Sequence, residues 1–316
     1  MRSKHHRSDA NEIERRNPSR ENTDMPDPLI YHRQPPKLLP LYARALAPKH
    51  AVDSNEIALP CLSAELIGAS TNNETLTRYE AICGFHSGLR VPATWPHVMA
   101  FPLQLKLLTD NHFPLPLLGL VHLRNTITQH RSIGRGEILD LRVRLGAQES
   151  TSRGLEFDLI TEAYSAGQLV WEESSINLSR RPETKNSNTT KKSPPPELER
   201  YPHTLSLTAP ESIGRRYASV SGDRNPIHMH AVSARAFGFP KAIAHGMWSK
   251  AQALALLEQQ KDWRSGPMRI NCQFKKPLLL PGTAQLNWRT GESGWDYQLL
   301  NAKGNAPHLS GRIEWL

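Results

Sequence analysis

The stretch Met247-Trp-Ser-Lys-Ala-Gln-Ala-Leu-Ala-Leu-Leu-Glu-Gln259 decides how the chain is read. It is rich in Ala, Leu, Gln and Lys, residues that lose little freedom in a helix. Its middle two turns hold few polar groups, which predicts a helix buried nearly all round. Downstream lie four short β-rich runs at 268–274, 284–290, 295–300 and 311–316. Pro281-Gly282 and the Gly- and Asn-containing stretches 291–294 and 301–305 separate them as turn signals. One buried helix followed by antiparallel strands is an α+β arrangement.

The same order occurs upstream. Residues 95–108 form a second candidate helix, and 121–129, 137–145, 155–165 and 169–178 are strand candidates. Two registers align by eye. Tyr79-Glu-Ala-Ile-Cys-Gly84 matches Tyr217-Ala-Ser-Val-Ser-Gly222 at an offset of 138, and His97-Val-Met99 matches His245-Gly-Met247 at 148. The second copy therefore holds ten more residues between these landmarks. The reading is an internal duplication with one elaborated copy. Residues 182–200, which include Pro194-Pro-Pro196, have linker composition with a stiff polyproline end. The expected organisation is a mostly disordered extension over 1–50, a first unit at 51–181, the linker, and a second unit at 201–316.

The chain has 316 residues, 38% hydrophobic and 22% charged. Residues 1–28 are nearly devoid of large apolar groups and cannot offset the entropy of ordering. The net charge of +9 sits mostly in the tail and the linker. Residues 1–50 carry ten Lys/Arg against six Asp/Glu and residues 180–200 six against three, leaving +2 for the remainder. A nucleic-acid partner would show a basic face on a folded unit instead, so none is expected. No run approaches the ~18 apolar residues of a membrane span, and no membrane partner is expected. Cys61, Cys83 and Cys272 are widely spaced and odd in number, which argues against a disulfide framework and fits a reducing compartment. The basic start has no apolar stretch after it and includes Asp9, Glu12 and Glu14, so a cytoplasmic location is expected.

The chemistry-bearing segment is Tyr217-Ala-Ser-Val-Ser-Gly-Asp-Arg-Asn-Pro-Ile-His228. Pro226 pushes Asn225 out of the α region and removes a backbone donor, so Asp223 to His228 reads as a shaped loop rather than a helix. Asn225 can fasten such a loop through its own backbone. A carboxylate and an imidazole on one rigid loop can hold a single water, which suits general acid–base chemistry on a small molecule. His245-Gly246-Met247 opens the buried helix, where free N–H groups and partial positive charge collect. The amide of Gly246, with no side chain in the way, is a candidate oxyanion hole for a carbonyl. Together these imply addition or removal of water across a double bond beside a carbonyl.

At these residues the sequence resembles the MaoC-type acyl dehydratases, the (R)-specific enoyl-CoA hydratases of the hot-dog fold. Tyr217, Val220, Ser221, Gly222, Asp223, Asn225, Pro226, Ile227, His228 and Ala234 fill every position of that family's signature. The resemblance implies a double hot-dog, each unit an antiparallel sheet wrapped around a long central helix. It implies that Asp223 and His228 hold a catalytic water that adds to C3 of a trans-2-enoyl thioester, with the Gly246 amide on the thioester carbonyl. It further implies a coenzyme A or acyl carrier protein thioester as substrate, no separate cofactor, a pseudo-dimer within one chain and an optional homodimer. The first unit has Phe85-His-Ser-Gly88 in place of the Asp loop, so that copy should shape the acyl tunnel without catalysing.

Each of these residues also has a plainer reading. Ser221, Asn225 and Tyr217 are taken as loop support and packing. The His245 side chain either buttresses the helix start or contributes to the site. His97, His122 and His130 are read as packing relics. No metal spacing such as His-Glu-x-x-His occurs, so no metal is expected. Lys275-Lys276 is either solvated surface, the preferred reading, or a contact for the phosphates of coenzyme A or an acidic carrier protein. Two rival functions remain: a hot-dog acyl-CoA thioesterase, disfavoured because 247–257 contains no Asp or Glu, and a non-catalytic acyl-thioester-binding protein.

Overall fold

The computed structural model describes residues 27–46, 57–181 and 198–316. The chain order is β1 (Leu29–His32), α1 (Leu38–Ala45), β2 (Ser63–Ser70), α2 (Glu74–Cys83), α3 (Trp95–Leu108), β3 (Leu120–Gln129), β4 (Ile138–Thr151), β5 (Gly154–Ser165) and β6 (Gln168–Arg180). The second half repeats it with β7 (His203–Ala209), α4 (Ile213–Ser221), α5 (Pro226–Met229), α6 (Ala231–Arg235), α7 (Gly246–Leu257), β8 (Met268–Phe274), β9 (Gly282–Arg289), β10 (Gly294–Asn301) and β11 (Pro307–Trp315).

All eleven strands of the described residues join in one sheet of order β1-β2-β4-β5-β6-β3-β8-β11-β10-β9-β7. Counted from β2 and from β7, the two halves have the same strand order, each ending on its own second strand. These second strands, β3 and β8, pair antiparallel from Arg124↔Gln273 to Gln129↔Met268. The halves are thus two copies of one motif about a pseudo-twofold axis, a double hot-dog of the α+β class.

The two long helices supply the core of each copy. In α7 nearly every residue is buried, including Trp248, Leu254 and Leu257. Lys250 is buried with them, because its ammonium donates to the Asn125 and Ile270 carbonyls at 3.3 and 3.2 Å and to the Asn125 side chain. These bonds lay α7 against the β3–β8 seam. Helix α3 is anchored on the first half through Gln104 to Thr161 at 3.0 Å. Among the described residues, no helix is long and apolar enough to cross a membrane.

The expectation of a mostly disordered 1–50 needs correcting in part. Residues 1–26 and 47–50 lie outside the described residues, but 27–46 are folded. Strand β1 pairs parallel with β2 over Leu29↔Ala64 to His32↔Ile67, and α1 follows with Leu41 buried. The parallel edge supplies backbone partners, and α1 supplies tertiary contacts, such as the buried Leu41, that leave no pattern along the chain. The linker expected at 182–200 lies outside the described residues except for 198–200.

Candidate active site

Helix α4 ends on Gly222, whose φ of +79° is the left-handed turn that stops a helix. A side chain here would be strained, and a Cβ would stand 2.7 Å from Leu38 of α1 and 3.3 Å from Phe101 of α3. The chain then turns through Asp223 to Asn225. The Ser221 hydroxyl accepts from the Asp223 amide at 3.2 Å, and the Asp223 carboxylate accepts from the Asn225 amide at 3.1 Å. The Asn225 side chain in turn accepts from the Ile227 amide at 3.3 Å. These three side-chain bonds hold the turn from inside.

His228 is not on the loop that the proline was expected to enforce. Pro226 opens a single helical turn, α5, with Asn225 as its N-cap. Proline is tolerated there because the first helical amide has no intrahelical partner. The turn aims His228 inward, where Nδ1 bonds the Ile243 carbonyl at 2.9 Å. Since a carbonyl can only accept, Nδ1 carries the proton and Nε2 is left as a base. Burial, only partly opposed by Asp223 and the Ile243 carbonyl, holds His228 below its ordinary pKa, so the ring is neutral at pH 7.

His245, the N-cap of α7, stacks on His228 with ring centroids 3.7 Å apart. Its Nε2 donates to the main-chain carbonyl of Asp223 at 2.9 Å, and its buried Nδ1 has no hydrogen-bond partner among the described residues. Burial and then the neighbouring His228 lower its pKa to about 3. His245 is therefore a neutral strut between α7 and the Asp223 loop. Tyr217 is buried and packs on it at 4.9 Å between centroids.

The Asp223 side chain is 31% exposed and is the open face of the cluster. Desolvation raises its pKa, but His245, His228 and the Asn225 amide outweigh this and hold the carboxyl below its usual value. Ligand atoms of Asp223, His228 and His245 lie within 4.8 Å of one another. Such a cluster has the dimensions for one small polar guest, a water or a cation. Among the described residues, two atoms at the open face are without a hydrogen bond to the protein: the second carboxylate oxygen of Asp223 and Nε2 of His228.

Gly246 is the first residue of α7, so its amide has no acceptor within the helix. A Cβ at this position would meet the Phe274 ring at 3.0 Å. Only glycine lets the helix start approach that ring so closely.

One feature of the site gave no local sequence signal, and one was read too plainly. Tyr42 of α1 accepts from the Arg224 amide at 2.7 Å and donates to the Gly222 carbonyl at 2.7 Å, bracing the loop from 180 residues away. His97, the counterpart of His245, is also more than a packing relic. Its Nδ1 bonds the fully buried Glu173 carboxylate at 2.9 Å, which Asn125 holds at 2.5 Å on the same seam that carries Lys250. His122 packs at a tilt against Phe274 with ring centroids 4.8 Å apart, and His130 bonds Glu172 at the surface.

Residues 182–304 match the family model described as a MaoC like domain. The chain is 35% identical over 241 residues to 3-hydroxyacyl-thioester dehydratase X of Mycobacterium tuberculosis, covering 75% of this chain and 84% of the relative. The crystal structure of HtdX from that organism superposes with a TM-score of 0.69 at 32% identity, over 80% of this chain and all of the other. A MaoC-like dehydratase from Phytophthora capsici shares the fold at 18% identity with a TM-score of 0.64, over 84% of this chain and 99% of that one. With the duplicated hot-dog topology, the Asp-x-Asn-Pro-x-His segment and a relative of this identity aligned over most of both chains, the protein belongs to the MaoC-like dehydratase family.

Proposed function

We propose that the protein is an acyl-thioester dehydratase/hydratase that interconverts a trans-2-enoyl thioester and its (3R)-3-hydroxyacyl thioester. The observation that carries this reading is the pairing of an ionised Asp223 with an unprotonated His228 Nε2 on one braced turn, beside the free amide of Gly246. In the hydration direction a water held by both groups attacks C3 of the enoyl chain. One water proton passes to the acid–base pair, and C2 gains a proton. The thioester oxygen, which takes up the charge between these events, accepts from the Gly246 amide. Dehydration is the same path reversed. The amino-terminal half, which has no Asp loop, walls the acyl chain.

The test is hydration of crotonyl-CoA by the wild type and by Asp223→Asn and His228→Ala, with circular dichroism as the control for folding. Loss of roughly 10²–10⁴ in kcat, the usual size of a general acid–base contribution, is expected for each. Near-normal turnover by either variant removes that residue from the mechanism. A thiol dye added to the same assays separates the thioesterase alternative, since hydration releases no free thiol.

A further inference from the structure

The starts of the two long helices are joined through aromatic rings. Trp95, the first residue of α3, packs on Tyr79 with centroids 5.2 Å apart, Tyr79 on Tyr217 at 6.1 Å, and Tyr217 on His245 at 4.9 Å. Further along α3, Phe101 stands 3.3 Å from where a Cβ on Gly222 would lie. The first turns of α3 therefore border the Asp223 loop. His97 lies between these two anchors, one turn before Phe101 and on the same helix face.

The carboxylate that holds His97 is itself held. Glu173 accepts from His97 Nδ1 at 2.9 Å, from the Asn125 side chain at 2.5 Å and from Gln104 at 3.4 Å. Lys250 reaches the same carboxylate through Asn125, to whose Oδ1 it donates. Burial lowers Lys250 to about 8, which still leaves it charged at pH 7. Glu173 thus has a cation across the seam and uses His97 as a donor. With Nδ1 committed, Nε2 is the ring atom left over. It makes no hydrogen bond to the protein among the described residues, and the His97 side chain keeps 11% exposure.

A second imidazole nitrogen is in the same position. A register shift between His122 and Arg124 puts His122 on the Asn125 face of β3, since their β6 partners, Asn177 and Ser175, are two residues apart. Nε2 of His122 is buried without a hydrogen-bond partner among the described residues. Burial lowers this ring to about 4, so it is neutral at pH 7. His122 packs on Phe274, whose ring stands 3.0 Å from the Cβ place at Gly246. The charge of His97 acts on both His122 and Asp223, so the two histidines border the reacting end of the site. A buried polar atom without a partner needs an explanation.

We infer that His97 and His122 form a polar wall, supplied by the amino-terminal half, that selects acyl chains carrying a hydroxyl group beyond C3. The inference rests on the thioester reading above. A plain alkyl chain along this wall displaces water from the two nitrogens and returns no hydrogen bond. A hydroxyl both donates and accepts, so it satisfies either tautomer of either ring. The half without the Asp loop thereby takes part in the choice of substrate.

The experiment compares trans-2-hexenoyl-CoA with its derivatives hydroxylated at C4, C5 or C6, using wild type, His97→Phe and His122→Phe. The expected wild-type result is a kcat/KM roughly tenfold higher for at least one hydroxylated ester, the worth of one hydrogen bond of ordinary net strength. At least one variant should bring that ratio to within about twofold of unity while hydrating the plain ester no worse. A ratio of two substrates is independent of the fraction of folded enzyme, so it stays readable if His97→Phe destabilises Glu173. The absence of any preference in wild type, or a preference that survives both variants, overturns the inference. Calorimetric binding of hexanoyl-CoA and its hydroxylated derivatives provides a readout without turnover. A binding preference abolished by a variant, in an enzyme that hydrates no enoyl thioester, would uphold the wall and refute the hydratase reading.

Discussion

His245 Nε2 donates to the main-chain carbonyl of Asp223 across 2.9 Å, while the ring of the same histidine lies flat against His228. One neutral side chain at the start of α7 thereby sets the position of both proposed acid–base groups. The helix start that offers the Gly246 amide is also the mount for the groups that would hold the water.

His245→Phe retains a stacking ring and removes the donor. The Asp223 carbonyl then loses its partner, at a cost of about 1–3 kcal/mol. A turn displaced by even an ångström should reduce kcat by roughly 10–100-fold. The urea midpoint and kcat for crotonyl-CoA measure the two effects. A variant with wild-type kcat would show that this tether does not position Asp223.

Tyr42→Phe removes two bonds to the loop and leaves the ring of α1 in place. Two hydrogen bonds of ordinary net strength predict a loss of about 1–3 kcal/mol. Faster amide hydrogen exchange should be confined to the vicinity of Gly222 to Asn225, and kcat should fall less than in Asp223→Asn. Unchanged exchange at these amides would contradict the bracing role of α1.

Gly222→Ala places an L side chain at φ +79° and drives its Cβ toward Leu38 and Phe101. The left-handed backbone alone costs roughly 1–2 kcal/mol, to which the contact adds. Gly222→Ala/Leu38→Ala should recover the contact part and leave the backbone part. Thermal or urea denaturation of the single and double variants resolves the two.

Acid should destabilise the protein before it removes its carboxylate charges. Burial, aided by a neighbouring histidine in each case, lowers the pKa of His245 to about 3 and that of His122 to about 4, from 6.5. His228 is shifted in the same direction. Between these folded values and 6.5 the unfolded chain binds protons that the folded chain refuses, so stability falls as pH drops below 6.5. At pH 5 this amounts to on the order of 2 kcal/mol for each of His245 and His122. Asp223 and Glu173, both held below their ordinary values, add a further loss once pH falls through the carboxylate range. Urea midpoints at pH 5 and pH 7.5 test the direction, and a higher midpoint at pH 5 would refute it. Activity should follow the same limb, since a protonated His228 no longer accepts from water.

The sequence by itself determined most of what depends on neighbours along the chain, though not the helical turn that Pro226 opens. The helix-forming composition of 247–259 appears as α7, and the β-rich runs after it appear as β8 to β11 within a few residues at each end. The duplication was legible because two short segments keep their internal pattern in both copies, and the Asp223–Asn225 turn because Asp, Asn and Pro act on their own backbone. Other strands escaped: β2 and β7 match β8 to β10 in length but are mixed in polarity, and their sheet partners stabilise them. Tertiary structure alone decided which distant groups converge. Tyr42 reaches the loop because β1 adds to a sheet edge, and His245 reaches Asp223 because α7 packs across the β3–β8 seam. Phe274 meets the start of α7 at Gly246 through the same packing. A buried contact between residues tens or hundreds of positions apart leaves no periodicity in the chain. It exists only once the two halves join along the β3–β8 seam, the helices pack on the sheet, and water is excluded between them.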